Sequence, residues 1–198
     1  GGLRFENAKT NGLSGFMAAL LTRGTKKRSR EDIAREVEGM AGSVNGFSGW
    51  NTAGVSGSFL SDFFDRGLEI FSDITLNPAF SDSEVEKLKK ETIAAINRQE
   101  DYLPAYTFKL LYRDLYREHP YGMPATGTVE TVNAFSGGDA LRKHEESFVP
   151  ERMVLVIAGD VDSDYAIERV KALFKDFKRP PSKLPAAPVE KRQTSIRS

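Results

Sequence analysis

Cysteine is absent from all 198 residues. That removes disulfides and thiolate metal sites and leaves the redox compartment open. Histidine is scarce, with only His119 and His144, whereas a metal centre needs three or four convergent ligands. Excess charge is also missing: 28 basic residues balance 28 acidic ones. A nucleic-acid partner is therefore not expected, since such proteins carry a basic surplus. The one basic run, Lys26-Lys27-Arg28, is short and reads as a solvated loop. No apolar run approaches the ~18–20 residues of a membrane span. No signal peptide is visible. The chain opens on Gly-Gly-Leu-Arg-Phe without Met and is expected to be a piece of something longer.

Hydrophobic residues make up 39% of the chain, enough for a substantial core. Gly1–Glu6 reads as the end of a strand. Over Gly12–Thr22, Leu13, Phe16, Met17, Leu20 and Leu21 recur at helical spacing, with Ser14, Gly15, Ala18 and Ala19 between them. Ser29-Arg30-Glu31-Asp32 resembles a capping box and opens a second helix that Gly42 ends. Ser43–Leu60 alternates small polar and apolar residues around Asn51-Thr52, the pattern of a hairpin.

Helical spacing returns at Asp62–Leu76. A capping box at Ser81-Asp82-Ser83-Glu84 opens a long amphipathic helix running to about Asp101, with Val85, Leu88, Ile93 and Ile96 inward. A further helix follows Pro104 and another runs over Ser136–Phe148, with a short helix or turn over Thr128–Val132. Met153–Ala158 is continuously apolar and reads as a central strand covered on both faces. A last helix carries Ala166, Val170, Leu173, Phe174 and Phe177. The order lacks regular βα alternation. It predicts an α+β fold, with helices packed on one face of a mainly antiparallel sheet. Residues 1–178 form the expected single domain, and 179–198, rich in Pro, Lys, Ala and Ser, the expected linker.

Chemistry is hard to place. His144-Glu145-Glu146 is not a metalloprotease spacing. His119 precedes Pro120 and reads as a loop-capping residue, His144 as a partly buried helix residue. Gly54-Val55-Ser56-Gly57-Ser58 lacks the strand-to-helix setting of a nucleophile elbow. Gly122–Gly127 has neither a P-loop nor a dinucleotide spacing. The carboxylates are interleaved with Lys and Arg, as on solvated helix faces.

The order of motifs carries a resemblance. Gly2-Leu3-Arg4-Phe5-Glu6, Asn11-Gly12-Leu13-Ser14 and Arg23-Gly24-Thr25 come first. Gly42–Ser48, Leu76-Asn77-Pro78, His119-Pro120-Tyr121-Gly122, Gly127-Thr128 and Val154–Val161 follow. The series resembles the insulinase, pitrilysin and mitochondrial processing peptidase family over residues 1 to about 178. The resemblance implies a processing-peptidase-like metallohydrolase fold.

Active members of that family read His-x-x-Glu-His on the first helix. The histidines bind zinc, and the Glu acts as general base on the metal-bound water. A further Glu ligand comes from a helix some seventy to eighty residues on. By this resemblance the three helix positions fall here on Gly15, Ala18 and Ala19, and the distal one near Ala95 or Ile96. Glu91 and Glu100 lie nearby on other turns. The implied reading is a chain with no catalytic residue, metal ligand or cofactor of its own, zinc being expected only in a partner half.

The resemblance further implies the first domain of a degenerate half, part of the wall of a peptide-enclosing chamber. Its expected partner is a zinc-bearing catalytic half or subunit of the same family, in the same chain or another. The Arg/Tyr pair that assists the transition state in relatives lies beyond this stretch. In catalytic halves, substrate adds as a strand near the segment matching Ser43, Val44, Asn45, Gly46, Phe47 and Ser48, making these the candidate peptide-binding residues. A second reading is a non-enzymatic scaffold or peptide-binding protein that kept the fold. Dimerisation in isolation is expected from surface normally covered.

Overall fold

The computed structural model describes residues 1–100 and 103–180. Among the described residues, two antiparallel strands, eight α-helices and four short 3-10 helices form an α+β architecture. Helix α1 (Leu13–Leu21) is the pivot. Met17, Leu20 and Leu21 are fully buried, together with Ile70, Ile74 and Val132 contributed by later elements. Burying such side chains contributes about 1.5–3 kcal/mol each, which outweighs the poor helix propensity of Gly15.

Helix α2 (Arg30–Gly39) begins with the expected capping box: Ser29 Oγ accepts from Asp32 N at 3.0 Å, and Asp32 Oδ2 accepts from Ser29 N at 3.2 Å. It ends earlier than Gly42, because Ala41 takes the left-handed conformation at φ 48°. Strands β1 (Ser43–Ser48) and β2 (Ala53–Ser58) form the expected hairpin, with Ser43 opposite Ser58 and Ser48 opposite Ala53. Helix α3 (Phe64–Leu76) follows a 3-10 turn and packs on β2.

Helix α4 (Asp82–Glu100) buries Val85, Leu88 and Ile96 as the periodicity indicates. Its Glu84 reaches Lys87 Nζ at 2.6 Å and Arg30 Nη1 at 3.5 Å. Helix α5 (Leu103–Leu115) leaves Phe108, Leu111 and Leu115 exposed. Helices α6 (Val129–Ala134) and α7 (Gly137–Ser147) each begin with a reciprocal cap, from Thr128 and Ser136. Helix α8 (Ser163–Phe174) starts at Asp162, whose side chain accepts from Tyr165 N, and packs on α3. No helix among the described residues is long and apolar enough to cross a membrane.

Two expected strands take other forms. Gly2, at φ 95°, turns Leu3–Phe5 into one 3-10 turn instead of a strand end. Met153–Ala158 is extended but pairs with no strand among the described residues. Val154 is 87% exposed and Val156 78%, so the segment is not the covered central strand its composition suggests. An apolar run is buried only where a ladder partner and a covering layer are present, and the described residues supply no ladder partner to it. The expected linker at 179–198 lies outside the described residues apart from Arg179 and Pro180. Arg179 is anchored: it donates to the carbonyls of His144 at 3.1 Å and Phe148 at 3.0 Å.

Candidate functional site

Helix α1 and strand β1 hold the candidate positions. The start of α1 is fixed by Glu6, only 6% exposed, whose carboxylate accepts from Gly12 N and Ser14 N, each at 2.7 Å. A carboxylate there meets both the unpaired amides and the positive end of the helix dipole. Lys143 is buried nearby, with its pKa lowered by desolvation against the opposing charges of Glu6 and Glu146. Gly12 takes φ 90°, and a Cβ there would lie 2.7 Å from the Gly127 Cα. Asn11 Nδ2 donates to Pro124 O at 2.9 Å, which ties the 124–127 loop to the same end of α1.

Gly15 and Ala19 are each half-buried, and their four-residue spacing puts them on one face of α1. At Gly15 an added Cβ would meet only Ala125 O, at an ordinary 3.7 Å. Ala18 is 1% exposed, and its backbone meets the hairpin. Gly46 explains why: a Cβ at Gly46 would fall 1.8 Å from the Ala18 carbonyl oxygen. The hairpin therefore lies against the helix backbone itself, an approach only glycine permits.

Helix α4 packs on α1. It carries Ala95, exposed, and Ile96, 8% exposed. Glu91 is engaged by Arg23, whose Nη1 donates to Oε1 at 3.1 Å. That hydrogen bond, followed by the nearby positive charges, holds the Glu91 pKa below the usual carboxylate range. The side chain of Glu100 lies outside the described residues. Gly15, Ala18, Ala19, Ala95 and Ile96 offer no side-chain oxygen, nitrogen or sulfur, so the residues present do not fit a zinc ion. No group of three or more His, Asp or Glu able to hold a metal occurs among the described residues.

The two histidines have separate tasks. His119 Nδ1 accepts from Tyr121 N at 3.2 Å, a loop cap as expected. His144 is fully buried rather than partly so. Its Nε2 lies 2.9 Å from Thr75 O, and its Nδ1 lies 3.1 Å from Arg179 Nη2. Burial, opposed by the hydrogen bond to Thr75 O and aided by the Arg179 charge, pushes its pKa down to about 4. Neutral His144 then donates from Nε2 and accepts at Nδ1, which satisfies both neighbours.

Strand β1 hydrogen-bonds only β2 among the described strands. Along it Ser43, Asn45, Phe47 and Ser48 are exposed, while Val44 and Gly46 are half-buried. Sequence reasoning missed the neighbouring aromatic cluster. Trp50, in the hairpin turn, packs 4.6 Å from Tyr121 and 5.1 Å from Tyr112, ring centre to ring centre. Tyr121 Oη also donates to Asn51 Oδ1 at 2.6 Å. These rings and the 122–126 loop line a cleft of about 290 Å³. Its sequence signals are the four-residue spacing of Tyr112 and Tyr116 and the Tyr121 of the 119–122 motif. The role of Glu6 is likewise hidden from sequence, because it depends on a turn where the pattern predicts a strand end.

Comparison with known proteins decides the family. The model of the insulinase peptidase family, M16, matches residues 1–129. The chain belongs to this family. A second family model, the M16 peptidase inactive domain, matches residues 135–197. An uncharacterized zinc protease of Rickettsia bellii is 27% identical over 176 residues, covering 89% of this chain and 43% of that protein. The human mitochondrial-processing peptidase subunit beta is 27% identical over 175 residues, covering 88% of this chain and 36% of its own length. The chain thus spans less than half the length of these relatives.

Among solved structures, a protease from Helicobacter pylori superposes with TM-score 0.82 at 18% identity, covering 96% of this chain and 46% of that one. The first half of the periplasmic protease PqqL from Escherichia coli gives 0.84 at 17%, covering 96% and 42%. These likenesses show the fold.

Proposed function

We propose that this chain is a non-catalytic domain of an M16-type metallopeptidase, forming part of the wall of a peptide-enclosing chamber and supporting proteolysis by a separate zinc-bearing half. The observation that carries the reading is the helix α1. Its frame is intact and anchored at both Glu6 and Gly46. The positions that match the family's ligands and base nevertheless hold Gly15, Ala18 and Ala19, with Ala95 or Ile96 at the distal position. Losing one such residue by misalignment is easy; losing all of them on an otherwise matched helix is not. The parent protein or complex is a zinc metalloendopeptidase on this reading, with zinc held by the partner half.

Ser43, Val44, Asn45, Gly46, Phe47 and Ser48 are the residues proposed to meet an extended peptide. Strand addition uses main-chain groups and so tolerates many sequences. Two features support it: the exposed side chains of β1 and its lack of a second described strand partner. The test is a backbone amide shift map of the chain with oxidised insulin B chain as probe, with the peptide recovered afterwards. Shifts at residues 43–48 with the peptide intact are expected. Undisturbed 43–48 amides remove the binding role, and chelator-sensitive cleavage removes the non-catalytic one.

A further inference from the structure

Helix α7 ends at Ser147, and its last carbonyls need donors from outside the helix. Phe148 N donates to His144 O at 2.8 Å. The other donors come from beyond α8. Arg179 Nη1 donates to His144 O at 3.1 Å and to Phe148 O at 3.0 Å, and Nη2 lies 3.1 Å from His144 Nδ1. The guanidinium also lies over the Phe177 ring, 5.4 Å from its centre. One side chain thus ties the polypeptide just past α8 to the end of α7.

The contact with Nδ1 carries a condition. Arginine only donates, so Nδ1 must keep its lone pair. The proton of the neutral ring then sits on Nε2, where it donates to Thr75 O at 2.9 Å. A second proton can enter only at Nδ1. It replaces the lone pair with an N–H aimed at a guanidinium and sets two cations 3.1 Å apart. The surroundings do not offset this. Helix α3 brings the Thr75 carbonyl, and the rings of Phe80 and Phe148 lie 5.7 and 4.6 Å from the imidazole, centre to centre. The charge acting on the ring is that of Arg179. Of the charged neighbours on α7, Glu145 acts on Arg179, and Lys143 is engaged with Glu6 and Glu146.

We propose that Arg179 and His144 form an acid-released latch on the segment that follows α8. With His144 neutral, Arg179 holds residues 178–179 to the end of α7. One proton on Nδ1 expels the guanidinium, and the Phe148 carbonyl loses its Arg179 donor in the same step. His144 O keeps Phe148 N, so α7 stays capped and the part set free is the polypeptide after α8. Burial keeps the imidazole neutral down to about pH 4, so the latch is shut at neutral pH and opens as pH falls toward that value. It shares no residue with Ser43–Ser48 and does not rest on the role proposed for them.

The test is a nitrogen-15 NMR titration of the 198-residue chain from pH 7 to pH 4. It follows the His144 ring nitrogens, the Arg179 guanidinium N–H groups and the heteronuclear NOE of the Lys178 and Arg179 amides. At pH 7, a neutral His144 protonated on Nε2 and NOE values equal to those of α8 are expected. As His144 takes its second proton, the guanidinium signal is expected to be lost to solvent exchange. The two NOE values should fall to those of a free chain end at the same midpoint, before the fluorescence of Trp50, the sole tryptophan, reports unfolding. Arg179→Gln is expected to give low values already at pH 7 and to raise the His144 midpoint, since a neighbouring cation is gone. His144→Gln, with no group to titrate there, should show no step between pH 7 and pH 4. Low NOE values in the parent at pH 7 overturn the proposal. So do values that stay high once His144 is protonated, and values that fall only with the Trp50 signal. An unmoved His144 midpoint in Arg179→Gln overturns it as well.

Discussion

Helix α1 and the segment at 153–158 are the two most apolar stretches of the chain, and they end in opposite environments. Met17 and Leu21 are wholly buried, whereas Val154 and Val156 stand in the open. Composition does not separate them; neighbours do. Helix α1 closes its own hydrogen bonds, has its first amides met by Glu6, and receives β1, α4 and α7 around it. An extended segment closes none of its own and depends on strands placed beside it. Burial is therefore a property of the pairing, and an apolar run states only a demand for it.

The largest effect is expected at Gly46. Gly46→Val places side-chain atoms where the Ala18 carbonyl stands, since even a Cβ would come within 1.8 Å. Overpacking of this kind costs typically 1–3 kcal/mol and more where backbone must move. A loss of about 3 kcal/mol or more is expected from urea unfolding, and an unchanged midpoint would show that the hairpin does not rest on α1.

Acid should act nearly as strongly on the buried side and not on the open one. Folding lowers the His144 pKa from its ordinary 6.5 to about 4. Between those values the unfolded chain binds a proton that the folded chain refuses. Stability is thus fully present above about pH 6.5 and falls as pH drops toward 4, by up to about 3 kcal/mol. Unfolding curves at pH 7 and pH 5 test the sign. His144→Gln should flatten the slope in that window.

A smaller effect of opposite sign is expected at Ser14. Its Oγ is the single buried side-chain polar atom without a partner among the described residues. Ser14→Ala removes that orphan and should stabilise by about 1 kcal/mol; destabilisation would reveal an unseen partner. The smallest effect belongs to the open segment. Val154→Thr, at a site 87% exposed, should change stability by less than about 0.5 kcal/mol. A larger loss would mean that the segment is packed after all.

Much of the frame was legible in the sequence because its signals are local. The Ser29–Asp32 box, the spacing of Leu13, Phe16, Met17, Leu20 and Leu21, and the Asn51-Thr52 turn each concern residues a few positions apart, and each formed as read. The order of motifs is a longer-range pattern that carries the family, and the proposal that Gly15, Ala18 and Ala19 stand where active relatives keep their ligands rests on that order. What escaped depends on contacts made in space. The need for glycine at 46 comes from a helix twenty-eight residues earlier. The burial of His144 is set by Thr75 and Arg179. The exposure of 153–158 follows from the lack of a strand partner among the described residues.

The central claim is that α1 keeps the frame of a zinc helix without its ligands, and one measurement addresses it directly. Zinc per chain is determined by elemental analysis after loading and buffer exchange, for the parent chain and for a variant carrying Gly15→His, Ala18→Glu, Ala19→His and Ala95→Glu. No stoichiometric zinc is expected in the parent and close to one zinc per chain in the variant. Stoichiometric zinc in the parent, together with chelator-sensitive peptide cleavage, would contradict it.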